Sequence, residues 1–160
     1  MIETVDPQRL DLGHLALFAG YAYADAVQAE LAEHGYDDVR FSHGFVFQHL
    51  VGAERSISAL AERLGVSQQA ASKSIAELES LGYVERVAAE ADARHRLVRL
   101  TKRGHALIAA SRRARAAVEK RVERRHGNTT LAQTKRVLAD VLETLGGANA
   151  VRGRRVVAPR

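Results

Sequence analysis

The sequence predicts a mainly α chain with a small β element, an α+β arrangement in which one compact module sits between two sets of helices. Three observations predict it. Two short amphipathic stretches meet at Gly65, two short β-prone segments follow Gly82, and longer stretches with apolar positions at helical spacing lie on either side. The chain then divides into 1–54, an arm with helices and a connector; 55–104, the central module; 105–146, C-terminal helices; and 147–160, a basic tail.

After an arm over 1–12, a first helix is expected over about 13–34. Ala19, Ala22, Ala26 and Ala29 form a stripe of small residues along it, with Phe18 and Tyr21 beside them, a pattern that permits close helix contact. Gly35 stops this helix and 36–40 connects. Ser42 caps a second helix carrying Phe45, Val46, His49 and Leu50.

In the central module Ser58 is the expected N-cap of a short helix whose Leu60, Ala61 and Leu64 make one apolar stripe. Gly65 ends it in a position that favours positive φ. Val66 is expected to plug the corner, and Ser67 to cap the next helix. There Ala71, Ile75 and Leu78 share one face, Gln69, Lys73, Ala76 and Ser80 lie opposite, and Ser72 is on the flank. One face packed and one polar face outward is the division that a DNA-reading helix in a major groove requires. Glutamine matches an adenine edge, lysine reaches guanine or phosphate, and serine serves either. Gly82 closes the helix, 83–87 and 97–100 read as paired strands, and 88–95 is their polar tip. Thr101 caps a third, longer helix.

That helix is expected over 102–126, with Leu107, Ala110, Ala114, Val118 and Val122 as a seam and Arg124, Arg125 and His126 complementing the negative end of its dipole. Gly127 breaks the chain. Asn128 or Thr129 then caps a last helix with Leu131, Leu138, Val141, Leu142 and Leu145 on one side, and 147–160 is expected to be disordered. The central module cannot cover so many apolar seams, so burial against a second copy about a two-fold axis is expected.

The chain carries a net charge of +5, unevenly placed. Residues 1–55 carry −6, 56–104 carry +2, 112–126 carry +5 and the tail +4. Bulk charge therefore does not single out the central module, and a DNA-binding role rests on placing Lys73, Arg94, Arg96 and Arg99 on one exposed side. With no cysteine, disulfides and thiol chemistry are excluded. No glycine-rich phosphate loop, nucleophile elbow or paired-histidine zinc helix occurs, so no enzyme is expected. No cofactor is expected either. His14, His43, His49 and His105 have no zinc-ligand spacing. No apolar run spans a bilayer and no signal peptide is evident, so a soluble, cytoplasmic protein is expected.

Leu-Ala-Glu-Arg-Leu-Gly-Val-Ser, Leu-Glu-Ser-Leu-Gly-Tyr-Val-Glu-Arg, Asp92-Ala93-Arg94 and Leu-Val-Arg-Leu-Thr-Lys-Arg-Gly together resemble the MarR family of transcriptional regulators. The resemblance implies a winged helix-turn-helix flanked by N- and C-terminal dimerisation helices, and a homodimer that presents two recognition helices to a pseudo-palindromic operator in double-stranded DNA. It implies that Arg94 enters the minor groove, as suits an arginine, and that Asp92 holds the wing through a salt bridge. The candidate DNA-binding set is Ser67, Gln68, Gln69, Ser72, Lys73, Arg94 and Arg96. Two departures stand out: Ser74 where the family is usually apolar, and Ala70 where a hydroxyl is common. Relatives that bind small aromatic or phenolic effectors imply a ligand site, for which Phe18, Tyr21, His43, Phe47 and His49 are candidates, each histidine serving equally as a core residue. The expected function is a sequence-specific regulator, a repressor in most such families. The alternatives are a non-specific architectural DNA binder and a dimerisation adaptor, the latter disfavoured by the polar face of Gln69, Ser72 and Lys73.

Overall fold

The computed structural model describes residues 5–89 and 92–153, with side chains left aside over 89–95. After a single 3-10 turn, Pro7–Arg9, come α1 (Leu12–Glu33), α2 (His43–Leu50), α3 (Ile57–Leu64), α4 (Gln68–Ser80), β1 (Val84–Ala89), β2 (Asp92–Leu100), α5 (Lys102–His126), α6 (Asn128–Thr144) and α7 (Ala148–Arg152). The mainly helical chain with a two-stranded antiparallel wing is the expected fold class.

The core of the central module joins Leu60 of α3, Ile75 and Leu78 of α4, Tyr83 and Val84, and Val98 of β2, all essentially without solvent contact. It continues through Val46, Phe47 and Leu50 of α2 to Leu107 of α5. Further along, α5 lies against α1, where Ala110, Ala114 and Val118 meet Val27 and Leu31. Tyr23 closes this contact by donating its hydroxyl to the Arg115 carbonyl at 3.0 Å. Burial and the Glu119 charge push the Tyr23 pKa up.

β1 and β2 pair from Val84 opposite Leu100 to Ala89 opposite Asp92, with a register break between Ala88 and Ala89. The strands run further toward the tip than the sequence suggests, and β1 starts at Val84 because the Tyr83 amide returns to the Leu78 carbonyl. On its other edge β2 is bonded by Arg55, whose N–H and C=O exchange bonds of 3.0 and 2.7 Å with Val98. Nothing in the composition of 54–56 announces that bridge.

Several local expectations need correction. The cap of α3 is Ser56, which is extended and accepts from the Ala59 amide; Ser58 lies inside the helix, its hydroxyl 2.9 Å from that of Ser56. Ser42 makes no side-chain cap. Instead the His43 ring accepts the Arg40 amide at 3.2 Å. Gly127 itself stands at the N-cap of α6. Val66 is 45 % exposed: its amide bonds the Ala61 carbonyl, so the corner is closed by backbone and needs no side chain to fill it. Residues 148–152, expected to lack order, form α7, whose Ala148 is buried and whose Arg152 pairs with Glu143 of α6. Residues 154–160 lie outside the described residues.

The start of α5 explains the Leu-Thr-Lys-Arg-Gly motif. Thr101 caps by accepting from the Gly104 amide at 3.1 Å while donating to the Gly82 carbonyl at 2.6 Å. A Cβ on Gly104 would stand 2.2 Å from the Tyr83 carbonyl oxygen, an impossible distance against backbone. Glycine is there to admit another chain segment, with ordinary helical geometry.

Candidate nucleic-acid interface

α3 and α4 meet at Gly65, which adopts φ 65° and lets the chain turn within three residues. Ser67 caps α4 by accepting from the Ala70 amide at 3.1 Å. The helix then divides as its spacing demands: Ala71, Ile75 and Leu78 are buried, while Gln68, Gln69, Lys73, Ala76 and Ser80 are exposed and Ser72 is half-buried on the flank. Ser74, where the sequence departs from the family pattern, is half-buried beside them. A continuous polar strip thus faces outward from a helix locked along its other side.

Charge near this strip is partly spent within the protein. Arg99 bonds Glu85 at 2.8 Å and lies 3.6 Å from Glu54, which raises its pKa further and matches its charge. Arg86 lies 3.5 Å from Glu79. Lys73 and Arg96 are exposed and make no ion pair with a described residue. The side chains of Asp92 and Arg94, assigned by resemblance to the wing salt bridge and the minor groove, lie outside the described residues; their backbone is the first part of β2.

Behind the module, the 36–42 connector is tied down at two points. Tyr83 donates to Asp38 at 2.5 Å, and Arg103 reaches Asp38 at 2.8 Å, the Leu81 carbonyl at 2.9 Å and stacks 4.5 Å over the Tyr83 ring. Burial, reinforced by the Asp38 carboxylate, pushes the Tyr83 pKa up to about 12. Two residues on, Arg40 pairs with Glu77 of α4 at 2.5 Å.

Between α1, α2 and α5 lies a cavity of about 490 Å³. Its apolar walls include Val27, Leu31, Phe45, Phe47 and Leu107, and Arg40, Arg112 and Arg115 are its charged residues. Of the ligand candidates read from the sequence, Phe47 alone lines it. Phe18 and Tyr21 are 52 % and 57 % exposed on α1, away from this cavity, and His43 and His49 are buried within α2 packing. His43 is held neutral: burial, then the nearby Arg40 charge, lower its pKa. Sequence reasoning looked to imidazoles for the polar anchor, whereas the structure gathers arginines. Arg112 and Arg115 are two of seven lysines and arginines spread over 112–126, and only the rotation of α5 shows which of them face the cavity. Among the described residues, no group of three or more histidine, aspartate or glutamate side chains gathers to hold a metal, and no helix is long and apolar enough to cross a membrane.

Comparison with known proteins agrees with this geometry. Residues 38–95 match the model of the MarR family. The reduced form of MarR from E. coli superposes with a TM-score of 0.68 at 22% identity, covering 83% of this chain and 97% of that one. YusO from Bacillus subtilis gives 0.67 at 20%, covering 88% and 99%. A mutant of S. aureus MepR bound to an oligodeoxyribonucleotide gives 0.63 at 17%, covering 86% and 99%. No curated protein sequence matches the chain. Residues 38–95 thus match the MarR family as a winged helix-turn-helix segment, and the fold that the chain shares with these solved structures runs over 83% to 88% of its length.

Proposed function

We propose that the protein is a transcriptional regulator that binds a pseudo-palindromic DNA site as a homodimer and acts as a repressor. The observation that carries this reading is α4: Gln68, Gln69 and Lys73 stand exposed on a helix whose opposite face is fixed in the core. The fold it shares with a MepR mutant bound to an oligodeoxyribonucleotide supports the same role. Ser67 and Ser72 flank the reading strip, Arg96 of β2 is exposed beyond it, and the resemblance alone assigns Arg94 to the minor groove. Pairing of Arg99 and Arg86 with carboxylates engages part of the charge beside α4 within the protein, which favours base reading over the charge-driven architectural alternative.

A second copy is the partner that the terminal helices fit. Leu12 and Leu15 of α1, and Leu138 and Leu142 of α6, are exposed in the single chain at helical spacing, on faces that no described residue buries. The cavity, apolar with arginines at hand, suits a small aromatic acid as effector. Selection of bound sequences from random duplexes tests the whole reading. An inverted repeat with half-sites about one helical turn apart is the expected result; recovery of no common sequence rejects it.

A further inference from the structure

Arg40 belongs to two places at once. It lines the cavity between Val39 and Phe41, which line it too, and its guanidinium lies on Glu77 of the recognition helix, 2.5 and 2.6 Å from the two carboxylate oxygens. Its side chain is 63 % exposed, so no packing holds it there, and exposed pairs of this kind contribute little to stability. Its neighbours are firmer: Asp38 is held by Tyr83 and Arg103, and the Val39 carbonyl accepts from Gln28 at 2.5 Å. The backbone at this point is fixed while the guanidinium is free to turn.

His43 supplies the alternative state. Its Nδ1 accepts the Arg40 amide, which places the ring proton on Nε2. That N–H lies 3.2 Å from the Arg40 guanidinium, donor against donor, and 3.6 Å from the Glu77 carboxylate. While Arg40 occupies Glu77 the imidazole proton is crowded. Once Arg40 leaves, the same N–H is the nearest donor to the carboxylate. Glu77 therefore has two discrete partners on α2 and its connector.

We propose that Arg40 is the residue by which the cavity selects an anion, and that a bound aromatic carboxylate draws it from Glu77, handing the recognition helix from Arg40 to His43. This rests on the effector and DNA-binding readings proposed for the protein and adds to them the residue that couples one to the other. The ligand class comes from the chemistry: apolar walls for a ring and the guanidinium groups of Arg40, Arg112 and Arg115 for a carboxylate, Arg40 being the one of the three that is paired with α4. A neutral amide of the same shape fills the walls without competing for Arg40. Linkage requires reciprocity, so whatever weakens the Arg40–Glu77 pair strengthens carboxylate binding.

The test uses the full chain with 2-naphthoate and 2-naphthamide as probes, titrated by calorimetry and by their effect on affinity for the selected duplex. In the native protein naphthoate binds more tightly than naphthamide and weakens DNA binding. Glu77→Gln frees Arg40, tightening naphthoate by about fivefold or more and leaving naphthamide unchanged. Arg40→Gln brings naphthoate down to the naphthamide level, and naphthoate then no longer alters DNA affinity. Thermal unfolding of both variants is followed to show that they are folded. Naphthoate binding that is indifferent to Glu77→Gln overturns the exchange while leaving the cavity reading intact. Binding of neither probe to the native protein overturns the cavity reading and the exchange with it. Naphthoate binding with unchanged affinity for the selected duplex overturns the coupling alone.

Discussion

Leu78 and Leu142 are the same side chain on two amphipathic helices, yet Leu78 has no solvent contact while Leu142 is 42 % exposed. The first belongs to α4, whose apolar face meets α3, Tyr83 and the wing within one chain. The second belongs to α6, which has an equally regular apolar face and no buried residue. The difference lies in how far each segment can reach. Two short helices and a hairpin fold back on themselves and close a core locally. A helix of 25 residues followed by one of 17 extends beyond that core, and no described residue buries the apolar positions of the second. Periodicity therefore reports that a face is meant to be covered, without saying by which molecule.

The sharpest way to break this contrast is to delete matching atoms on the two sides. Leu78→Ala is expected to cost about 2–5 kcal/mol, read from guanidinium unfolding, because the surrounding core relaxes only partly into the cavity. Gly104→Ala comes next at about 1–3 kcal/mol or above: an alanine methyl has to displace the Tyr83 carbonyl and with it β1. A loss near zero in the same assay would mean that the helix start is looser than the 2.2 Å approach implies. Leu142→Asp acts on the other side. Self-association is expected to weaken more than tenfold, about 1.4 kcal/mol per tenfold, while the central module keeps its wild-type helical signal; an undisturbed dimer in sedimentation would refute the assignment of that face.

The smallest effect is on pH. An unfolded imidazole titrates near 6.5, whereas burial and Arg40 lower the pKa of folded His43. The folded state therefore takes up this proton less readily, so its stability is full above pH 6.5 and falls as the pH drops through the lowered value. Urea midpoints at pH 7 and pH 5 should differ, and His43→Asn, which keeps an acceptor for the Arg40 amide, should narrow the gap.

The range of each interaction decides how much of it is legible in the sequence. Gly65, Ser67 and Thr101 are local signals, and the structure uses each as read. The buried face of α4 and the seam of α5 through Val118 also emerge from spacing, although Val122, the last of that seam, is 38 % exposed. Errors arise where two local candidates compete, as with Ser56 and Ser58, since either hydroxyl can cap and only the backbone direction decides. Contacts between distant segments leave no trace: Arg55 with Val98, Asp38 with Arg103, and the choice of Arg112 and Arg115 for the cavity. The histidines mislead because imidazole suits a ligand site and a helix interior equally well, and α2 uses His43 for its own first turn.

The glycine at the foot of α5 sets more than a contact. A helix of 25 residues is about 37 Å long at 1.5 Å per residue, so it magnifies any change of direction at its root like a boom on a mast. A tilt of about 5° there sweeps the far end by about 3 Å, a substantial part of the rise of one helical turn. In the paired assembly proposed for this chain, a methyl added at that root is expected to change the angle between α5 and the central module, and with it the separation of the two modules.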